Sequence, residues 1–256
     1  MSHYDAPDLL SRVAALLPSG PLALLDLAAF DQFHVGGLKS TEHLAEQAGL
    51  SAGMTVLDVG SGVGGPSRYL ASQGCRVTGL DLSADYVALS RQLAKRVGLA
   101  VDYVCADALA MPFEDGAFDL VWTQHASMNI ADKLGLHSGV RRVLKPGGKL
   151  AFHDVCAGQE EMRLPVPWAS KPEHSALISP DELRILLQGL GFEFLYWRDA
   201  TEEALAFLSR LPETLPPLSL RLLLGDGARE MMATYAGNLR EKRVSVVEAV
   251  ACRNAA

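Results

Sequence analysis

A glycine-rich segment around residue 60 carries the clearest chemical signal in the chain. It reads VLDVGSGVGG, and Gly60, Gly62 and Gly65 have the spacing G-x-G-x-x-G. Glycines at this spacing let a backbone turn approach a bound nucleotide, and an acidic residue about twenty positions later can hold the ribose. Asp81 stands there. Taken alone, the pattern is typical of a dinucleotide site and fits a nicotinamide-dependent reductase.

Two further carboxylates favour a different ligand. Asp58 precedes Gly60 by two residues, so a strand brings a negative charge to the mouth of the site. That charge would repel a pyrophosphate and attract a cationic amino-acid group, such as the one in S-adenosylmethionine. Asp107 ends the third predicted strand, where a carboxylate can accept a hydrogen bond from the exocyclic amine of an adenine. We therefore expect an S-adenosylmethionine site and keep the NAD(P)-dependent reductase as the alternative.

The elements that position these residues alternate between strand and helix. β-Branched runs bounded by glycine predict strands, and helices with one apolar face follow them, which is the pattern of a doubly wound sheet. Ser83 caps one predicted helix, and Ser179 with Glu182 forms the capping box of another. A helix and then a strand close the chain, so the last strand is expected to be antiparallel, a methyltransferase trait. The strands are predicted at 55–60, 76–82, 101–107, 118–124, 149–155, 192–197 and 243–253.

One domain accounts for the 256 residues. The sequence predicts an α/β, Rossmann-like, seven-stranded doubly wound sheet with a helical N-terminal cap over residues 1–50. Residues 51–155 form the expected cofactor-binding core, and residues 179–256 complete the sheet. Residues 156–178 form a loop too long for an ordinary connection, so we interpret them as a lid-like insertion.

Composition limits the partners. The formal charge is −7 with no basic run, so neither a nucleic acid nor an anionic membrane surface is expected to bind. Four cysteines stand far apart, which argues against a metal site or disulfides and favours a reducing, cytoplasmic setting. No secretory signal or membrane-spanning run is recognised. The expected partner is a small-molecule methyl acceptor. The oligomeric state stays open, with a homodimer among the options.

Four segments together resemble class I methyltransferases of the ubiquinone/menaquinone-biosynthesis and sarcosine/dimethylglycine N-methyltransferase type. They are VLDVGSGVGG, GLDLS, CADALAMPFEDGAFDLVWTQHASMNI and RRVLKPGGKLAFHDV. The resemblance implies that the first segment is the cofactor turn, the second ends the ribose-binding strand, and the third contacts the adenine. By this resemblance the cofactor-binding residues are Asp58, Gly60, Ser61, Gly62, Gly64, Asp81, Leu82, Asp107, Ala108 and Gln124.

Three residues are candidates for catalysis: His125, His34 and Asp154. His125 follows the fourth strand, where it is either a base that receives the acceptor's proton or a polar residue that closes a loop. His34 lies in the cap before Gly36 and Gly37, a glycine pair that suits either a hinge or a tight turn. Side chains alternate along a strand, so His153 and Asp154 face opposite sides, and Asp154, nearer the rim, is the better candidate.

The expected function is transfer of a methyl group from S-adenosylmethionine to an oxygen, nitrogen or carbon atom of a small molecule. Because the donor is already activated, the protein mainly has to align the reacting atoms and exclude water. We expect the cap around His34 to close over the site for this reason. A protein that binds the cofactor without turnover is the second alternative.

Overall fold

Seven strands form a single sheet in the computed structural model, which describes residues 8–254. The spatial order is β3-β2-β1-β4-β5-β7-β6, and only β7 runs antiparallel to its neighbours. The predicted fold class, with its antiparallel last strand, is therefore confirmed. The strands are β1 (Thr55–Val59), β2 (Arg76–Asp81), β3 (Asp102–Cys105), β4 (Phe118–Gln124), β5 (Leu144–Ala157), β6 (Phe192–Asp199) and β7 (Val244–Arg253).

Ten α-helices accompany the strands within residues 8–254, and none of them is long and apolar enough to span a bilayer. The helices are α1 (Leu9–Leu16), α2 (Ala28–Asp31), α3 (Gly37–Ala48), α4 (Gly65–Ser72), α5 (Ala84–Arg96), α6 (Lys133–Val143), α7 (Pro180–Gly189), α8 (Thr201–Ser209), α9 (Arg221–Leu224) and α10 (Ala228–Arg240).

Alternation along the strands builds a core on each face of the sheet. In β4, Val121 packs with the apolar faces of α6 and α7, whereas its neighbours Leu120 and Trp122 pack with α3 and α4. Successive side chains of a strand point to opposite faces, so a strand buried on both sides reads as a continuous apolar run. This double burial explains why the central strands were visible in the sequence.

Side-chain caps fix the starts of α5 and α7. The Ser83 hydroxyl accepts a hydrogen bond from the backbone N–H of Tyr86 at the start of α5. The predicted capping box of Ser179 and Glu182 is present at the start of α7. The start predicted for β5 at residue 149 was wrong: Leu144 already pairs with Phe118, and a register shift in the ladder absorbs the intervening Pro-Gly-Gly turn.

The N-terminal cap packs on the core through α1. Leu9 and Val13 of α1 are buried against the apolar face of α5. Arg12 Nη2 donates a hydrogen bond to the carbonyl of Leu222, 2.7 Å away, and so ties the cap to α9. The first seven residues of the predicted cap lie outside the described residues. The described part of the cap is therefore held in place by contacts with both α5 and α9.

The insertion at 156–178 is anchored to the core rather than free. Trp168 is 2% exposed, and its indole N–H donates to the Ser175 hydroxyl. Asn129 Nδ2 donates to the carbonyls of both Trp168 and His174. In this conformation the insertion therefore packs against the core as a wall, with Trp168 buried in it.

Candidate active site

A cavity of about 490 Å³ opens at the carboxyl ends of the parallel strands. In open α/β sheets, ligands bind at this edge, next to the point where the strand order reverses. Here the reversal lies between β1 and β4. The lining at the cofactor end is Gly60, Gly62, Leu80, Asp81, Leu82, Tyr86, Ala106, Asp107 and Ala108.

The glycine turn is folded tightly onto β2. Gly60 has a positive φ of 73°, and a Cβ there would lie 2.3 Å from the Cβ of Ala126. The backbone N–H groups of Gly60 and Ser61 both donate to the carbonyl of Leu80. Only glycine fits Gly60's combination of backbone conformation and close approach.

Asp81 joins this turn to the start of α5. One carboxylate oxygen accepts the N–H of Gly62 at 2.8 Å, and the other accepts the N–H of Ser83 at 2.9 Å. Burial raises the pKa of Asp81, although these hydrogen bonds oppose the rise. Each oxygen has a second lone pair, so the carboxylate can still accept hydrogen bonds from a diol in the cavity.

Asp107, Leu82 and Ala108 meet at the same end of the cavity. The Asp107 carboxylate accepts the N–H of Leu109 at 2.8 Å and caps a short 3₁₀ turn over Ala108–Ala110. Leu82 is 70% exposed, which leaves an apolar surface open at the cavity mouth. These residues offer a carboxylate edge and an apolar face, the two contacts that an adenine ring uses.

Three predicted cofactor residues lie behind the cavity wall: Asp58, Ser61 and Gly64. The Asp58 carboxylate is 2% exposed and accepts a 2.5 Å hydrogen bond from the Ser67 hydroxyl. Burial raises its pKa to about 7. A Cβ on Gly64 would lie 2.3 Å from the hydroxyl oxygen of Tyr103. In this structure these residues support the turn and do not face the cavity.

Three histidines cluster where the cofactor end meets the rest of the cavity. The rings of His125 and His153 stack with centroids 5.2 Å apart, and the His34 ring lies edge-on to both, at 6.1 and 5.9 Å. His34 and His125 line the cavity. Burial lowers the pKa of His34 to about 4 and those of His125 and His153 well below 6.5. All three imidazoles are therefore neutral at physiological pH.

Hydrogen bonds define the proton positions near His34. Its Nε2 lies 3.1 Å from the carbonyl oxygen of Gly37, which can only accept, so Nε2 carries the proton and Nδ1 the lone pair. Gln124 Oε1 accepts from the Trp122 indole N–H at 3.0 Å and from the Thr41 hydroxyl at 3.1 Å. Since an indole nitrogen only donates, the amide orientation of Gln124 is fixed.

Asp154 does not line the cavity. Its carboxylate accepts the backbone N–H of Ser127 at 3.1 Å, and Lys133 lies close enough to act on it electrostatically. The alternation along β5 was anticipated, but the structure brings His153, rather than Asp154, against the cavity histidines. Asp154 instead holds the turn that follows His125.

The far side of the cavity was not visible in the sequence. Tyr235 lines the cavity, and so do residues of α8 and α9. The C-terminal helices pack over the sheet through contacts between residues that are far apart in sequence. No local sequence pattern predicts such contacts. Apolar helical spacing was the only signal, and it did not distinguish core from cavity wall.

The buried pair of Asp31 and Arg68 was also missed. Arg68 Nη2 lies 2.7 Å from Asp31 Oδ2, and both side chains are almost fully buried. Arg68 Nη1 also donates to the carbonyl of Val63, next to the glycine turn. This pair connects α2 of the cap to α4, the helix that follows the turn. Asp31 in the cap therefore helps to position the glycine turn through Arg68.

A family model described as a methyltransferase domain matches residues 57–152, which span β1 to most of β5. Sterol 24-C-methyltransferase of Eremothecium gossypii is 36% identical over 179 residues, covering 69% of this chain and 45% of that protein. The glycine/sarcosine/dimethylglycine N-methyltransferase of Actinopolyspora halophila is 29% identical over 206 residues, covering 78% and 36%. The chain spans less than half the length of the curated relatives it matches.

Among solved structures, geranyl diphosphate C-methyltransferase of Streptomyces coelicolor A3(2), crystallised with S-adenosyl-L-homocysteine, has the same fold. Its TM-score is 0.69 at 22% identity, with 98% of this chain and 94% of that chain covered. The fold defines a class I, Rossmann-like methyltransferase architecture. Residues 57–152 match a methyltransferase domain, which agrees with the S-adenosylmethionine-dependent methyltransferase class that the sequence predicts.

Proposed function

We propose that the chain binds S-adenosylmethionine at the glycine turn and transfers its methyl group to a small molecule held in the same cavity. One observation carries the proposal: a single cavity joins the carboxylates of Asp81 and Asp107 to the neutral imidazoles of His34 and His125. Cofactor and acceptor therefore have adjoining places within one enclosure.

The residues at the cofactor end fit this ligand. Asp81 offers free lone pairs for the ribose hydroxyls, and Asp107 offers a carboxylate edge for the adenine amine. Gly60 and Gly62 remove side chains where the methionine part would pass, and Gln124 lines the cavity beyond them. When bound, S-adenosylmethionine supplies a methyl group that its sulfonium has already activated. The chain has to position the acceptor and exclude water.

The roof of the cavity suits water exclusion. Phe33 and His34 from the cap, Trp168 from the insertion and Leu223 from α9 surround the space beyond the glycine turn. We propose that the cap moves against α9 when ligands enter and leave, with Gly36 and Gly37, both at positive φ, as the point of bending. Four free cysteines among residues 8–254 support the expected cytoplasmic setting.

Calorimetry with S-adenosylmethionine, S-adenosylhomocysteine and NAD tests the cofactor assignment. We expect both sulfur compounds to bind and NAD to bind more weakly than either. Tighter binding of NAD would overturn the proposal in favour of a reductase. Incubation with methyl-labelled cofactor and a metabolite library tests turnover. Sulfur-ligand binding with no labelled product from any library compound would favour a binding protein.

A further inference from the structure

The cavity beyond the histidines differs in character from the cofactor end. Its wall is mostly apolar and includes Trp168, Phe207, Leu208, Leu223, Leu224 and Met232. We infer that the methyl acceptor is an uncharged, largely apolar molecule whose hydroxyl group is held between Gln124 and His125. This inference rests on the proposed function and names the acceptor class of the same site.

Charge supports an uncharged acceptor. The described residues that line the cavity include no lysine or arginine. The carboxylates there are Asp81 and Asp107 at the cofactor end and Glu173, which is exposed to solvent. An acceptor with a phosphate or carboxylate would lose its hydration in this apolar space and find no lysine or arginine among the described lining residues to compensate it. Anionic acceptors are therefore disfavoured.

Unpaired polar atoms indicate where a polar group of the acceptor belongs. Gln124 Nε2, His125 Nε2 and Tyr235 Oη are buried without a hydrogen-bond partner among the described residues, and all three side chains line the cavity. Buried polar atoms are most stable with a partner, and we assign these three, whose side chains share one cavity, to a polar group of the acceptor.

The chemistry of these atoms selects a hydroxyl. The fixed amide of Gln124 presents Nε2, which can only donate a hydrogen bond. We assign His125 the tautomer protonated at Nδ1, in which Nε2 is a hydrogen-bond acceptor. A hydroxyl can accept from one and donate to the other, whereas a ketone only accepts and an ammonium only donates.

This arrangement gives a balanced transfer. The hydroxyl oxygen forms a bond to the methyl carbon while the carbon–sulfur bond breaks, and the electron pair of that bond stays on sulfur. The hydroxyl proton passes to His125 Nε2, and the resulting imidazolium returns it to solvent. Burial lowers the pKa of His125, so the ring is neutral before the reaction and the imidazolium formed in it readily gives the proton up.

Three probes test the effect of charge on binding: 2-naphthol, 2-naphthoate and 2-naphthyl phosphate. They share the same ring system, and only the last two are anions. Each is titrated calorimetrically into protein saturated with S-adenosylhomocysteine. We expect 2-naphthol to bind at least about tenfold more tightly than either anion, given the cost of an uncompensated charge. Equal or tighter binding of an anion, or no binding of 2-naphthol, would overturn the inference. Failure of S-adenosylhomocysteine to bind would instead count against the proposed function.

His125→Asn tests the role of the imidazole. His125 has a φ of 50°, a conformation that asparagine tolerates, so the variant should fold. We expect it to bind S-adenosylhomocysteine normally and to methylate 2-naphthol at least about a hundredfold more slowly than the parent. His137→Asn is the matched control, because His137 is buried, has no hydrogen-bond partner within residues 8–254 and does not line the cavity. A His125→Asn protein that methylates 2-naphthol at the rate of the control would refute the assignment.

Discussion

Replacing Asp58 with asparagine should stabilise the unliganded protein at alkaline pH. Burial raises the pKa of this carboxyl from 3.8 to about 7. In the unfolded chain it ionises above pH 3.8, but in the folded protein only near pH 7, so the free energy of unfolding falls as pH rises between these values. About three pKa units at about 1.4 kcal/mol each give a loss of about 4 kcal/mol above pH 8.

The asparagine variant has no carboxyl to ionise, so it escapes this loss. Between pH 5 and pH 8.5, the difference in free energy of unfolding between the variant and the parent should grow by about 3 kcal/mol. This is the part of the parent's loss that falls within that pH range. Urea denaturation at both pH values, without cofactor, measures the difference. Asp102→Asn is the control, because it makes the same chemical change at an exposed carboxylate on β3. An Asp58→Asn advantage that does not change with pH would refute the reasoning.

Three further predictions address the turn and the cap. Asp81→Asn should weaken S-adenosylhomocysteine binding by about 1.5–3 kcal/mol in calorimetry, since hydrogen bonds to a charged acceptor are lost; unchanged affinity would place the ribose elsewhere. Arg68→Met should lower the free energy of unfolding by about 3–5 kcal/mol, because the Asp31 carboxylate loses its buried partner. Adding Asp31→Leu should restore most of that loss, and a double variant as unstable as the single one would contradict this. Gly60→Ala should abolish cofactor-induced thermal stabilisation, because its Cβ would meet a neighbouring methyl carbon at 2.3 Å; Gly237→Ala, in open space on α10, should retain it.

The sequence predicted the central strands of the sheet well because burial on both faces leaves a long apolar run in the chain. β7, for example, combines six buried apolar residues with a buried glutamate in ten positions. The glycine turn was equally readable, since a positive φ and a close approach demand glycine at Gly60. Both features are local: each depends on the conformation or burial of a few consecutive residues.

The site was harder to predict because it depends on side-chain orientations and on contacts between residues that are far apart in sequence. The motif places Asp58 near the turn, but whether its carboxyl faces the cavity or Ser67 depends on packing. Alternation separates His153 from Asp154 without saying which face meets the cavity. The roof depends on contacts such as that between Arg12 and Leu222, which are 210 positions apart. No short window of sequence contains both partners of such a contact.

The position of β7 constrains how the molecule assembles. β7 is the seventh strand in chain order, yet it lies between β5 and β6 and pairs with both. During synthesis, β5 and β6 therefore emerge before the strand that joins them exists, and β5 keeps an unpaired edge until β7 arrives. Such edges invite association with other chains. A ribosome paused after β6 would hold a core able to form its glycine turn but exposed to aggregation along β5.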